Sequence, residues 1–350
     1  MKIYIGFITA STKMFFRRKS SIFWSLFFPV VTMLVFGNAN IMGFSAPNIG
    51  ILNYSQDASS KTIIDDLNNS KSVKIIELES KSKGDEFLER GTISSYIEIN
   101  DLEPLTTITT RKGDEPELEL VENLLHSILN TNSSNQKNIE TKIADITYQG
   151  YKGFIVPGIA AMAIMQSGIF AVVFTLLSYK NQGVLKRLQA TPISPSHFIV
   201  GHLVSRLLII VTQTIILLTM GILILGVSIG QGSLLAWLNI FLFSFLGGTL
   251  FLSIGLAISS LAPSEDSAPA LANLVTFPML FLSGVFFPIE FLPKYVGYVS
   301  NALPLTHIAE GIRLSALYGN STLSTLPQMG ITIAWLIIAF TICAKTFKWE

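Results

Sequence analysis

Six stretches of this chain, residues 21–43, 154–179, 199–226, 234–261, 268–287 and 329–344, are apolar over most of a membrane's thickness. About 20 such residues cross a hydrocarbon core as a helix. In lipid the backbone must satisfy its own hydrogen bonds, so each run is committed to helix. Half of the 350 residues are hydrophobic and 13% are charged, against about 25% in an ordinary soluble domain. The expected fold class is an α-helical polytopic membrane protein with six transmembrane helices.

One polar block interrupts the apolar sequence. Residues 46–149 carry 18 of the 23 acidic residues, so the net charge of +1 averages over two unlike regions and says little about partners. β-rich composition marks strands at 48–53 (NIGILN), 73–78 (VKIIEL), 94–99 (SSYIEI) and 105–110 (LTTITT). Helix-like pieces at 60–67 and 85–90 alternate with them, and 116–145 reads as a longer helix interrupted by NTNSSN. Such alternation predicts a small α/β domain over 45–150. The block has no G-x-G-x-x-G, no nucleophile elbow and no carboxylate pair of defined spacing, so it carries no catalytic signal, and its acidic surface reads as solvation. Cys343 is the single cysteine and lies in the last apolar run, which excludes an intrachain disulfide or a Cys-based metal site. His126, His197, His202 and His307 are dispersed, and no metal site is expected.

Charge also orients the spans. The opening MKIYIGFITASTKMFFRRKS predicts an amphipathic interfacial helix over 1–20, its basic cluster at headgroup depth. Transmembrane helix 1, residues 21–44, reads as an uncleaved anchor rather than a signal peptide, because the preceding basic region is long and no A-x-A site is evident. Lys and Arg recur in the 180–198 loop (Lys180, Lys186, Arg187) and after the last run (Lys345, Lys348), while 227–233 has none. The positive-inside rule then puts both termini in the cytoplasm and makes 45–150 extracellular, between helices 1 and 2; helices 2–6 occupy 151–350. The acidic loop APSEDS, 262–267, weighs little in that rule.

In the 180–198 loop Gly183 can end or kink the preceding helix, 184–190 suits a short amphipathic helix, and Pro192 with Pro195 forces the turn into the next span. Two readings fit: charges that only hold orientation, or a rigid knob that docks a partner. Near the other end, Pro288, Pro293 and Pro304 break 285–319 into short pieces that carry interfacial aromatics. Non-helical backbone at membrane depth requires cover, so this segment is expected to form an extracellular re-entrant hairpin and gate. Its candidate residues are Phe286, Phe287, Pro288, Pro304, Glu310 and Arg313. Glu310 and Arg313 either pair with each other or bond elsewhere in the hairpin, in a structural role.

Polar residues inside the spans, among them Gln166, Ser167, Gln213, Asn239, Asn273 and Thr276, are expected to face protein or a cavity. Ala163, Ser167 and Ala171, like Ser244 with Gly248, form small-residue faces for helix packing. Arg206, about two turns into the third span, is expected to snorkel to the inner headgroups.

The motifs GVLKRLQATPISPSHFIVGH (183–202) and LSGVFFPIEFLPKYVGYVSNALPLTHIAEGIRLSALYG (282–319) resemble those of permeases of the type-2 ATP-binding-cassette (ABC) exporter family. The resemblance covers nearly the whole chain, and the large outer domain is similar to that of the subgroup tied to drug and antibiotic efflux. Many relatives carry an acidic residue where this chain has Gln182. The resemblance implies ATPase coupling through Gln182, Gly183, Lys186, Arg187 and Leu188. It also implies a substrate pathway along spans two and five, with Met162, Met165, Gln166, Phe170, Asn273, Thr276, Phe277 and Met279 as candidates whose Met and Phe suit a lipophilic compound. The chain has no phosphate-cradling G-x-x-x-x-G-K-[ST]. No catalytic residue and no cofactor are therefore assigned to it; ATP and Mg would sit on a separate ABC ATPase subunit, in two copies. A second permease subunit, identical or related, would complete a dimer in the bacterial plasma membrane, with membrane lipids and a lipophilic small molecule, and no nucleic acid, as further partners. The alternative is a membrane-anchored sensor or scaffold whose outer domain binds a ligand or cell-envelope partner. An ion-coupled transporter ranks behind both, since no span carries a buried Asp or Glu.

Overall fold

The computed structural model describes residues 2–17, 19–38, 48–55, 61, 64–67, 70, 73–90, 92–100, 106–112, 115–132, 139–147, 150–183, 187, 195–262, 264, 267–289, 292–318 and 324–346. The chain divides into two compact units, 40–151 and the combination of 1–39 with 152–350.

The 40–151 unit is built on a five-stranded mixed sheet. Strands β1 (Asn48–Asn53), β2 (Lys74–Glu77), β3 (Ser95–Ile99), β4 (Thr106–Lys112) and β5 (Ile139–Thr147) lie in the order β2-β1-β3-β4-β5. Only β3 and β4 run antiparallel to each other. The period of two sorts the side chains. Ile49, Ile51, Ile97, Ile99 and Ile108 form one face, packed with Val121 and Leu125 of α4 (Glu115–Asn132). Leu52 and Tyr96 form the other, with Leu88 of α3 (Lys81–Arg90). Glu98 shares that second face and pairs with Lys81 at 2.7 Å, and the Tyr96 hydroxyl donates to Asp85 at 2.9 Å. The helix expected over 116–145 is corrected: it ends at Asn132, and IETKIADIT is strand β5. The β-branched residues of that stretch favour a pleated surface, and parallel pairing with β4 satisfies their backbone from Ile139 opposite Thr106 onward.

The other unit is helical: α1 (Lys2–Arg17), α2 (Lys19–Asn38), α5 (Gly150–Asn181), α6 (Pro195–Leu225), α7 (Leu234–Leu261), α8 (Ser267–Leu282), α9 (Lys294–Ala302), α10 (Pro304–Tyr318) and α11 (Leu326–Thr346). Four of these helices contain stretches long and apolar enough to cross a membrane: Tyr151–Tyr179, Val200–Leu225, Leu234–Leu261 and Leu326–Lys345. The other two apolar runs yield the shorter apolar helices Ser25–Asn38 and Ser267–Leu282. The 268–287 run leaves helix early because Gly284 takes a left-handed φ of +67° and starts a turn.

Helix α5 is the central element, with Ile159, Met162, Met165 and Ile169 fully buried. It touches α7 backbone to backbone: a Cβ on Gly255 would stand 2.8 Å from the Ile169 carbonyl oxygen, so only glycine permits this approach. Helix α1 lies against the first turns of α6, where the hydroxyls of Thr12 and Ser205 share a hydrogen bond of 2.8 Å and Phe7 covers Gly201. Ile5, Met14 and Phe16 stay exposed on α1, an apolar face suited to a membrane surface.

Candidate functional site

A cavity of about 350 Å³ opens between α1, α2, α5 and α6. Its formation begins with a defect in α2. Pro29 has no amide hydrogen, so the Ser25 carbonyl four residues earlier lacks its intrahelical donor. Gln213 of α6 replaces it, donating from Nε2 to the Ser25 oxygen at 2.8 Å, and its Oε1 accepts from the Ser167 hydroxyl of α5 at 2.7 Å. One buried amide thus ties three helices together. Such replacement by a neighbouring helix is what allows proline inside a span.

The opposite end of the cavity is cationic. Arg206 donates from Nη2 to Thr175 Oγ1 of α5 at 3.1 Å, and its guanidinium lies 5.7 Å from the centre of the Phe15 ring of α1. Arg206 thus lines the cavity. The packing of α1 over α6 is the physical reason, since it supplies a ring face within cation–π reach. Gln166, Phe170, Phe174 and Ile210 complete the wall between the two polar ends.

Of the pathway residues inferred from sequence, Gln166 and Phe170 line this cavity. Met162 and Met165 are packed in the interior of the unit. The α8 residues stand apart from the cavity: Thr276 and Met279 are buried, Asn273 is half-buried and Phe277 is exposed. Sequence reasoning missed Phe15, Ser25 and Pro29 as wall residues, and it assigned Arg206 to another task. An arginine within an apolar run was the available signal.

At the end of α5 the chain turns at Gly183, whose φ of +65° is a left-handed conformation that ends helices. Gln182 donates from Nε2 to the Ser178 hydroxyl at 2.9 Å. Arg187 folds back, its Nη2 donating to the Gln182 carbonyl at 2.6 Å, where it complements the negative end of the helix dipole. Both side chains are exposed. Lys186 and Leu188 lie outside the described residues.

The 283–318 segment is anchored by Arg313. Its Nη1 pairs with Glu310 at 2.7 Å, its Nη2 donates to the Gly284 carbonyl at 3.0 Å, and its guanidinium sits 3.8 Å from the centre of the Phe154 ring of α5. The intrahelical pair left open by the sequence is thus formed, and Arg313 also bonds elsewhere in the segment. Phe286 packs against Phe36 of α2 with ring centroids 4.9 Å apart. Pro288 and Pro304 are buried, Pro304 as the first residue of α10, and Phe287 is exposed. The connection at Leu303 is closed by Thr306, which donates to the Ser300 carbonyl at 2.6 Å. Trp335 of α11 donates to the Ala302 carbonyl at 3.0 Å.

Residues 19–345 match the family described as ABC-2 family transporter protein. The chain belongs to that family. Among similar proteins, ABC transporter G family member 20 of Dictyostelium discoideum is 25% identical over 79% of this chain. This ABC-2 chain spans 38% of the length of that relative. Nodulation protein J of Rhizobium leguminosarum bv. viciae is 26% identical over 57% of this chain and 74% of its own length. The inner membrane transport permease YadH of Escherichia coli strain K12 is 25% identical over 59% of this chain and 78% of its own length.

Proposed function

We propose that this chain is the permease subunit of an ABC exporter that moves a lipophilic or amphipathic compound outward, powered by ATP bound on a separate ATPase subunit. The observation that carries the reading is the family match across 19–345, which takes in every membrane helix from α2 to α11. Two ATPase subunits and a second permease complete the machine. In this reading α2 and α8 cross the membrane together with the four longer helices, the 40–151 unit is extracellular, and both termini are cytoplasmic. The turn at Gly183 receives the push of the ATPases, with α1 as a second contact. Its geometry supports the role: a left-handed turn locked by Arg187 onto the end of α5 passes a displacement into the central helix rather than absorbing it.

The test is reconstitution with the cognate ATPase. A Cβ at Gly183 meets no atom of the described residues within 4 Å, so the strain of Gly183→Val falls on the left-handed backbone, at about 1–2 kcal/mol. This variant and the Lys186→Ala/Arg187→Ala pair are expected to insert normally yet lose stimulated ATP hydrolysis and vesicle uptake of a lipophilic fluorescent probe. Wild-type transport in both variants would remove the loop from the mechanism.

A further inference from the structure

Strand β5 ends the sheet of the 40–151 unit, and among the described residues no strand pairs with its outer edge. Ile143 on it is 65% exposed, and Glu140, Thr141 and Lys142 are exposed as well. An open edge with a bare isoleucine is a template for another strand. On one face of β5, Lys142 pairs with Glu140 at 3.6 Å. Ile139, Thr141 and Ile143 alternate onto the other, where Thr141 donates to Glu122 of α4 at 2.6 Å. A second copy can extend this edge antiparallel about a two-fold axis normal to the sheet, which keeps like faces together. Only residues an even number of positions apart then stand opposite each other. The other edge strand, β2, fails that condition, because its charges Lys74 and Glu77 are three positions apart. Strand β5 meets it. With the axis at Thr141, Glu140 faces the partner's Lys142, Lys142 faces the partner's Glu140, and Ile139 faces the partner's Ile143. An axis at Glu140 or at Lys142 would set like charges together, which destabilises a ladder. An axis at Ile143 would carry the ladder past Ala144, where the register with β4 shifts between Arg111 and Lys112. The Thr141 register uses only 139–143, which pair regularly with Thr106–Thr110.

We propose that β5 is a self-pairing edge, and that two copies of this chain join their sheets antiparallel about Thr141. Glu140 and Lys142 of each copy then form a ring of four alternating charges on one face, and the exposed Ile143 is covered on the other. So short a ladder buries less than the about 1,200 Å² of a stable soluble interface. It serves copies already held in one membrane, where a high effective concentration makes a weak contact sufficient. The inference rests on the export reading only in naming the second permease as an identical copy; the pairing itself requires neither ATP nor cargo.

The experiment places single cysteines in the full chain. Cys343→Ala removes the one native thiol, and Glu140→Cys, Thr141→Cys, Lys142→Cys and Ile143→Cys are each oxidised in native membranes with copper phenanthroline and read as dimer on non-reducing gels. At the axis the two Cα atoms stand about 4.5–5.5 Å apart. The copies of residue 140, and those of 142, stand about 8 Å apart and those of 143 about 14 Å, beyond the about 7 Å that a disulfide spans. Thr141→Cys is therefore expected to give about fivefold more dimer than any of the others. A charge test then separates pairing between copies from effects within one strand. Two differently tagged chains are co-expressed, one Glu140→Lys/Thr141→Cys and the other Thr141→Cys/Lys142→Glu. Each has lost its own Glu140–Lys142 pair and sets like charges against its own copy, while the mixed pair sets opposite charges together. The mixed disulfide dimer should exceed either self-dimer by about fivefold. No disulfide at 141, equal yields at the four positions, a maximum at 143, or self-dimers as abundant as the mixed one would each overturn the proposal. ATPase stimulation in the reconstituted complex is scored separately. Stimulation without the 141 disulfide rejects the pairing and keeps the export reading, and the disulfide without stimulation does the reverse.

Discussion

Replacing Gln213 by Leu keeps the size of the side chain and removes both of its hydrogen bonds. The Ser25 carbonyl then loses the Gln213 donor that stands in for the intrahelical one removed by Pro29. An unsatisfied buried carbonyl costs about 1–3 kcal/mol, and a side-chain hydrogen bond between membrane helices is worth about 0.6 and at most about 1.7 kcal/mol. The Ser167 hydroxyl can turn to a carbonyl of its own helix, so its loss counts little. The sum is about 2 kcal/mol, and at roughly 2–4 °C per kcal/mol for a unit of this size the midpoint falls by about 4–8 °C. Pro29→Ala restores an amide hydrogen four residues after Ser25. The double variant Pro29→Ala/Gln213→Leu should therefore recover half or more of the loss, a coupling of about 1–2 kcal/mol. Circular dichroism melts of the four proteins in one detergent measure it. Additive losses, with no rescue by the restored amide, would refute the account of why α2 tolerates its proline.

Three further outcomes follow from the packing and the titrating groups. Arg313→Met leaves Glu310 and the Gly284 carbonyl without their cation, a cost of about 3 kcal/mol; amide exchange in 283–289 should speed up by on the order of 100-fold, whereas Glu310→Gln should change it by less than about tenfold. Gly255→Leu forces α5 and α7 apart at the Ile169 carbonyl and should sharply reduce the amount of folded protein recovered, whereas Gly330→Leu, which meets nothing within 4 Å, should leave it unchanged. In the 40–151 unit, burial pushes the Tyr96 phenol above its ordinary value, and the hydrogen bond to Glu98 raises Lys81. Both groups hold their protons more tightly when folded, so their stabilisation is complete below about pH 10 and is lost as pH rises through the folded values. The wild-type melting midpoint should fall above about pH 10, and Tyr96→Phe should make that fall shallower.

Local rules carried most of the fold. The β-rich stretches became strands close to their expected bounds because each satisfies the pleated pattern within four to seven residues. Strand β5 escaped because IETKIADIT follows a helix-forming stretch and because its pairing partner, β4, lies some 30 residues away. The candidate site was half legible for a related reason. Gln166 and Phe170 could be singled out as a polar group and an adaptable ring in an apolar run. Arg206 could be noticed, but its direction depends on Phe15 and Thr175, which only the stacking of α1 and α5 on α6 brings to it. The same holds for the proline. Pro29 announces in the sequence that the Ser25 carbonyl needs a donor, and Gln213, Gln166 and Asn239 announce that apolar helices carry amides to spend. A fold is required to match the need to one supplier. The match with Gln213 puts the amide at the floor of a cavity whose mouth is Arg206. A change at either end is therefore felt by α2, α5 and α6 together.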